Sequence, residues 1–167
     1  MKRVIEAVVL LMAVALTATV TWHFARQDLR RCEVDDTLRP IAALLEDNRT
    51  IVEAIKKDGM AESESVILST YLAQVRKDGV SQHSAFKQRI DALVNNNTMI
   101  VALLSKYTPR ARTTEFRVAA DKFVDYATTF RDRWQSVFEI FMAGGNLSAM
   151  GPVPPADFVG SVAKEGA

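Results

Sequence analysis

The feature that most constrains this chain is a large side chain recurring at every seventh position of one segment, with a small residue midway between. Its positions are Phe116, Ala120, Phe123, Ala127, Phe130, Trp134, Val137 and Phe141. Seven residues make two helical turns, so these side chains share one face, and each alanine leaves a hole for a side chain of the neighbouring helix. The pattern predicts a long helix from Thr114 to Ala143, packed against an antiparallel neighbour.

A second seam, with alternating steps of four and three residues, runs through the segment from Ser81 to Tyr107. Its positions are Phe86, Ile90, Leu93, Asn97, Ile100, Leu104 and Tyr107. Two further helices are predicted upstream, beginning near Ile41 and Met60, because apolar residues keep helical spacing there and both segments end in Lys-Asp-Gly. Glycine accepts a left-handed backbone, so Gly59 and Gly79 predict two tight helical hairpins.

Together these patterns predict an all-α fold. An N-terminal transmembrane helix continues into an antiparallel up-down-up-down helical bundle, and an irregular Pro/Gly-rich C-terminal tail follows. In this arrangement the first and third bundle helices run in the same direction. The expected parts are a membrane anchor with a basic juxtamembrane segment over residues 1–31, the bundle over 32–143 and a flexible tail over 144–167.

The predicted anchor is the apolar run from Val4 to Phe24, which contains one charged residue, Glu6. As a helix it would be about 31 Å long, close to the thickness of the hydrocarbon core of a bilayer. Trp22 and Phe24 close the run where aromatic residues commonly meet the membrane interface. We therefore expect the chain to contact the lipid bilayer through this run. A cleaved signal peptide, which would leave a secreted periplasmic protein, is the alternative.

The orientation of the anchor rests on its layout, because the basic residues on its two sides nearly balance. A short basic leader followed by a span and then the whole domain is typical of a bacterial signal anchor. We expect a single-pass protein of the bacterial inner membrane with a cytoplasmic N-terminus and a periplasmic bundle. The single cysteine, Cys32, makes an internal disulfide impossible, and it is either inert or bridges two chains.

Charge argues against one class of partner. The formal net charge is +1 and no stripe of basic and aromatic residues is present, so binding to nucleic acid is not expected. A protein partner or a homo-oligomer is expected instead.

Two segments are candidates for binding a protein partner. Arg110 and Arg112 lie in a basic loop that would face an acidic surface, and an ordinary soluble turn is the alternative. Pro154, Pro155 and Phe158 lie in the tail segment GPVPPADF, which favours an extended form that docks on a partner. A flexible end without function is the alternative for the tail.

Catalytic motifs are missing from the sequence. His23 and His83 have no nucleophile or metal ligand at a suitable spacing, and no Glu-x-x-His, Cys-x-x-Cys, phosphate-binding loop or nucleophile elbow occurs. We therefore expect a non-enzymatic protein with no cofactor, no metal and no catalytic residues.

Asn48 and Asn97 are the most informative polar residues, since each interrupts an apolar helical face near the middle of its helix. A buried amide costs stability unless it is paired, and it can therefore fix helix register or oligomeric state. The two are expected to set register, and pairing with each other is one way to do so. A local kink or a polar edge is the alternative.

These observations lead to one main functional hypothesis and one alternative. The main hypothesis is an extracytoplasmic helical bundle that serves as a scaffold or adaptor in an envelope assembly of the secretion, conjugation or phage-lysis type. The alternative is a four-helix bundle that senses or binds a small ligand. A cavity that meets both asparagines would favour the alternative.

Overall fold

A computed structural model of the chain describes residues 17, 19, 21–63, 66–142 and 154–167. The side chains of residues 80, 81 and 138–142 lie outside that description. The chain divides into two compact units, Met1–Asp36 and Thr37–Ala167. The described residues form helices and turns without any strand, so the predicted all-α fold is confirmed for this part of the chain.

The first unit is helical over residues 21–33, and a π-helical turn, Val34–Leu38, follows. Trp22 and Phe24 are 63% and 60% exposed. The predicted span from Val4 to Phe24 falls mostly on residues outside the description. Within the described part of the chain, no helix combines the length and apolar character needed to cross a bilayer.

The second unit contains five helices among its described residues. They are α1 Arg39–Lys57, α2 Ile67–Asp78, α3 Ser84–Tyr107, α4 Thr114–Met142 and α5 Asp157–Gly166. Short 3-10 turns, Val80–His83 and Thr108–Arg110, precede α3 and follow it.

Local sequence signals explain how α1 begins and ends. Pro40 lies in the first turn, where its missing amide hydrogen is not needed. At the other end, the amide of Gly59 donates to the carbonyl of Lys56 and the amide of Met60 donates to that of Ile55, each at 3.0 Å. This is a Schellman motif, and it requires the positive φ of 66° that Gly59 adopts.

The heptad seams form the core as predicted. All seven seam residues of α3 are buried, and so are the α4 seam residues from Phe116 to Val137. The side chain of Phe141 lies outside the description. Edge-to-face packing of Tyr107 on Phe116, with ring centroids 5.5 Å apart, joins the two seams next to the α3–α4 turn.

The direction of α3 differs from the prediction. The side chains of Asn48 and Asn97 meet, and six residues further along α1 the carbonyl of Ala54 accepts a hydrogen bond from Arg89. Positions that ascend along α1 therefore descend along α3. The two helices are antiparallel neighbours, whereas the up-down-up-down order of consecutive helices made them parallel.

The reason for this difference is the shortness of α2. It has 12 residues and begins at Ile67, because residues 60–63 of the predicted helix are not helical. A helix of this length does not return along the whole of α1. Tyr71 places α2 against one part of the bundle, with its ring centroid 5.1 Å from that of Trp134 on α4 and 5.4 Å from that of Phe86 on α3.

The helix α5 packs on both α4 and α1. Phe158 at its start contacts Phe123, whereas Glu165 at its end contacts Thr113, so α5 is antiparallel to α4. The prediction of an irregular tail is therefore wrong for Asp157–Gly166. Residues 144–153 lie outside the description.

The spacing of its buried residues explains why α5 forms. Phe158, Val162 and Glu165 follow the same steps of four and three as the other seams, and all three are buried. The glycines and prolines that made the tail look irregular lie mostly before Asp157. Pro154 and Pro155 stand just upstream of the helix, where they interrupt no helical hydrogen bond.

Candidate functional site

The two asparagines that interrupt the helical faces lie in contact across α1 and α3. Nδ2 of Asn48 donates a hydrogen bond of 2.7 Å to Oδ1 of Asn97, from a position 49 residues earlier in the sequence. Asn97 is 2% exposed and Asn48 is half-buried. Their role in fixing the register of α1 against α3 stays a prediction, and the contact gives it a physical basis.

One hydrogen bond does not satisfy the pair. Among the described residues, Oδ1 of Asn48 and Nδ2 of Asn97 are buried and have no hydrogen-bond partner. A buried polar atom without a partner costs about 1–3 kcal/mol, and such atoms in a native fold call for an explanation by a bound water, a ligand or a functional role. The pair therefore leaves one acceptor and one donor unsatisfied.

A cleft of about 370 Å³ opens beside this pair. Its walls come from four helices, α1, α3, α4 and α5, and from Pro154 just before α5, and both asparagines belong to them. The lining residues are Leu45, Asn48, Arg49, Val52, Glu53, Lys56, Asn97, Phe123, Tyr126, Pro154 and Val159. The volume lies at the lower end of the range for sites that bind small molecules.

The interior and the rim of the cleft differ in character. Phe123 and Tyr126 are both buried, with ring centroids 5.7 Å apart, and they form an aromatic wall. At the rim, Nε of exposed Arg49 donates to Glu53 at 3.0 Å, and Lys56 is exposed nearby. A bound molecule would therefore meet apolar surface and two amides inside and charges at the edge.

A second polar cluster surrounds Glu165, which is 2% exposed. Its Oε1 accepts hydrogen bonds from the hydroxyl of Tyr107 at 3.1 Å and from the amide of Arg112. Its Oε2 accepts from the hydroxyl and the amide of Thr113 at 2.8 and 3.3 Å. The carboxylate thus ties α5 to the loop between α3 and α4.

The surroundings of this carboxylate explain the direction in which its pKa is shifted. Burial by itself would raise the pKa of Glu165, but the hydrogen bonds from Arg112, Thr113 and Tyr107 together hold the pKa below its ordinary value of 4.5. The hydroxyl of Thr113 also accepts from the amide of Phe116 at 3.2 Å, so it caps α4. Glu165 therefore lies at the positive end of the α4 dipole.

The loop between α3 and α4 is held from both sides. Its buried residue, Ala111, donates to the carbonyl of Thr108 and accepts a hydrogen bond of 2.6 Å from Arg117. Arg110 and Arg112, the predicted partner-binding residues of this loop, are exposed. The loop lies at the end of the bundle where α1 begins, because α3 runs antiparallel to α1. The up-down-up-down arrangement placed it at the opposite end.

The other predicted partner-binding residues lie elsewhere. Phe158 is 1% exposed, with its ring stacked on Phe123 at 4.4 Å. In this conformation the side chain belongs to the core, and a partner would reach it only if α5 left the bundle. Pro154 and Pro155 are half-buried, and Pro154 lines the asparagine cleft.

A third cluster joins α2, α3 and α4. Nε1 of Trp134 donates to Asp91 at 2.8 Å, and Lys87 donates to the same carboxylate at 2.6 Å. The hydroxyl of Tyr71 is buried without a hydrogen-bond partner among the described residues. Burial, and next the negative charge of Asp91, raise the pKa of Tyr71.

The described part of the chain also contains two histidines and one cysteine. His23 contacts Gln27 at 3.2 Å and His83 contacts Asp78 at 3.3 Å, and Cys32 is exposed. In the same residues, no three His, Cys, Asp or Glu side chains come together as a metal site would require.

Sequence reasoning missed Glu165 and Thr113 as a linked pair. A buried carboxylate near a C-terminus has no motif of its own, and its partners are mainly backbone amides and hydroxyls, which any sequence supplies. The available signal was the spacing of Phe158, Val162 and Glu165, which continues the heptad pattern.

Comparison of the chain with protein-family models, with curated proteins and with solved structures gives no match.

Proposed function

We propose that this chain is a non-enzymatic, single-pass membrane protein whose helical bundle serves as a scaffold or adaptor in a bacterial envelope assembly. The assembly would be of the secretion, conjugation or phage-lysis type. The bundle binds a protein partner with an acidic surface through the loop that carries Arg110 and Arg112. This proposal rests on one observation. Hydrogen bonds fix the conformation of that loop.

Preorganisation is what distinguishes this loop from an ordinary surface turn. Glu165 accepts hydrogen bonds from the amides of Arg112 and Thr113, and Arg117 binds the carbonyl of Ala111. A loop that is already ordered loses less conformational entropy on binding than a mobile one. Two exposed guanidinium groups on such a loop suit carboxylates of a partner, because arginine binds them in a bidentate manner.

Two features support the membrane part of the proposal. They are the apolar run from Val4 to Phe24 and the exposure of its last aromatic residues. Trp22 and Phe24 are more than half exposed within the first unit. The guanidinium of Arg26 lies 5.2 Å from the centre of the Trp22 ring. Exposed aromatic rings beside arginine are common where a membrane helix leaves the bilayer.

Site-specific photocrosslinking in cells tests the adaptor role. Arg112 is replaced by the photoreactive residue p-benzoylphenylalanine, and exposed Lys77, on α2 and away from the loop, is replaced in a matched control. We expect a discrete crosslinked protein from position 112 but not from position 77. The crosslink should be lost when Arg110→Glu is added. An identical pattern from both positions, or none from either, would contradict the adaptor role.

Thiol labelling tests the proposed location. Cys32 is exposed, so a membrane-impermeant maleimide should label it in intact cells if the bundle is periplasmic. Lysed cells provide the control for total reactivity, and a Cys32→Ser variant controls for specificity. Labelling only after lysis would mean that the bundle lies on the cytoplasmic side.

A second candidate function is a bundle that binds a small ligand. It is favoured by the cleft of about 370 Å³ that both Asn48 and Asn97 line. This is the cavity that would distinguish a ligand-binding bundle from a completely filled one.

A further inference from the structure

We propose that the cleft between α1, α3, α4 and the start of α5 binds a small planar molecule bearing a carboxamide, with the amide group paired to Asn48 and Asn97. This inference rests on the second candidate function and names its ligand class. It does not depend on the adaptor role of the loop.

The unpaired atoms define what the ligand must carry. Oδ1 of Asn48 needs a donor and Nδ2 of Asn97 needs an acceptor, because neither has a partner among the described residues. A carboxamide presents a donor and an acceptor on one rigid, planar group. It can therefore satisfy both atoms, whereas an ammonium group has no acceptor and an ionised carboxylate has no donor.

The walls favour a flat and partly apolar ligand. Phe123 and Tyr126 provide aromatic surface, and Pro154 and Val159 add apolar surface to the lining. Val159 is 60% exposed, so a ligand in the cleft would remove this apolar side chain from water. The cleft is too small for a long chain, and its volume suits a single ring with an amide substituent.

Binding requires a local movement of the asparagines. The two unpaired atoms are buried, so the amides must rotate toward the cleft before a ligand can reach them. Only one hydrogen bond, Asn48 to Asn97, is given up in this rotation.

A ligand that carries a carboxylate in place of the carboxamide is the informative comparison. It has two acceptor oxygens and no donor at neutral pH, so it leaves Oδ1 of Asn48 unpaired. An unpaired buried acceptor makes a binding site discriminate strongly against the wrong ligand. Benzamide and benzoate share their ring and almost their shape, and they differ at this one feature.

The test is an NMR titration of the full ¹⁵N-labelled chain in detergent micelles. Benzamide and then benzoate are added, and the side-chain NH₂ signals of Asn48 and Asn97 are followed. We expect saturable shifts of both signals with benzamide, and at least about tenfold weaker binding of benzoate. The Asn48→Leu/Asn97→Leu double variant, which removes both amides and keeps an apolar contact, should lose benzamide binding while its helical circular dichroism is retained.

Each other result would overturn the inference in a distinguishable way. Equal shifts with benzamide and benzoate would mean that the cleft binds rings without selecting the amide, which leaves the second candidate function standing. Shifts with neither probe would remove both the inference and the support for that function. Benzamide binding that survives in the double-leucine variant would place the ligand somewhere other than the asparagine pair.

Discussion

The ring of Phe158 stacks on the ring of Phe123, with centroids 4.4 Å apart and planes inclined by 24°. This contact joins the last helix of the chain to the aromatic seam of α4. It places α5 in the core of the second unit, where Phe158 and Val162 are both buried.

Truncation of Phe158 should therefore destabilise the whole bundle. Phe158→Ala removes a ring that is 1% exposed, and such substitutions cost about 3–5 kcal/mol. The neighbouring side chain of Val159 is 60% exposed, so Val159→Ala should change the free energy of unfolding by about 0.5 kcal/mol or less. Urea denaturation followed by circular dichroism measures both. Equal effects would mean that α5 does not pack as described.

Acid should weaken the link between α5 and the α3–α4 loop. Because the folded-state pKa of Glu165 lies below the ordinary value of 4.5, its carboxylate stabilises the fold at pH values above 4.5. That contribution is lost as the pH falls from 4.5 toward the folded-state pKa. Glu165→Gln should cost about 1–3 kcal/mol at neutral pH, and the difference from the parent chain should shrink in acid. A constant difference from pH 7 to pH 3 would contradict this assignment.

Loss of the hydroxyl group should affect the stability of the fold differently at two tyrosines. The hydroxyl of Tyr71 is buried without a partner among the described residues, so Tyr71→Phe should leave stability unchanged or raise it by about 1 kcal/mol. The hydroxyl of Tyr107 donates to Glu165 at 3.1 Å, so Tyr107→Phe should lower stability by about 1–2 kcal/mol. Thermal unfolding of the two variants side by side checks the contrast. The same sign for both would count against the hydrogen-bond assignments.

Two glycines should also behave differently on substitution by alanine. Gly59 has φ of 66°, so Gly59→Ala should cost about 1 kcal/mol even though a new Cβ meets no atom within 4 Å. Gly160 lies inside α5 with equally open space, so Gly160→Ala should raise helix propensity and stability by about 0.5–1 kcal/mol. Chemical denaturation distinguishes them. A stabilising Gly59→Ala would mean that the Schellman turn does not form in solution.

Replacing one asparagine of the pair should lower the stability of the fold more than replacing both. Asn97→Leu alone leaves Asn48 without its hydrogen-bond acceptor and should cost about 1–3 kcal/mol. The double change Asn48→Leu/Asn97→Leu should recover most of that loss, because no buried amide remains. Unfolding of both variants in urea, together with the single Asn48→Leu, completes a double-mutant cycle. Strict additivity of the two single changes would show that the amides do not interact.

The helices and their buried faces could be predicted from the sequence because heptad spacing is a local property. Every seam residue assigned to α3 is buried, and the α4 seam is buried as far as Val137. The end of α1 at Gly59 was equally predictable, since its stop signal lies within a few consecutive residues. The tight hairpin predicted there is wrong, because α2 begins only at Ile67.

The order of the helices in space could not be predicted in the same way. Short connections suggest antiparallel neighbours, but they do not show that α2 is too short to occupy one side of the bundle. The shared contacts that decide the topology, Asn48 with Asn97 and Phe158 with Phe123, join residues far apart in the sequence. Composition also led to a wrong prediction for the tail. Glycine and proline upstream of Asp157 suggested an irregular segment, whereas a helix of 10 residues begins at that residue.

The closure of this bundle by its last helix has a consequence for how the protein is made. Tyr107 and Glu165 are separated by 58 residues, which a ribosome adds in roughly 3–12 s. Throughout that interval the aromatic face of α4 is synthesised without the helix that covers it. A nascent chain in this state presents several phenylalanine rings at once, so we expect its biogenesis to depend on chaperones until α5 has been synthesised.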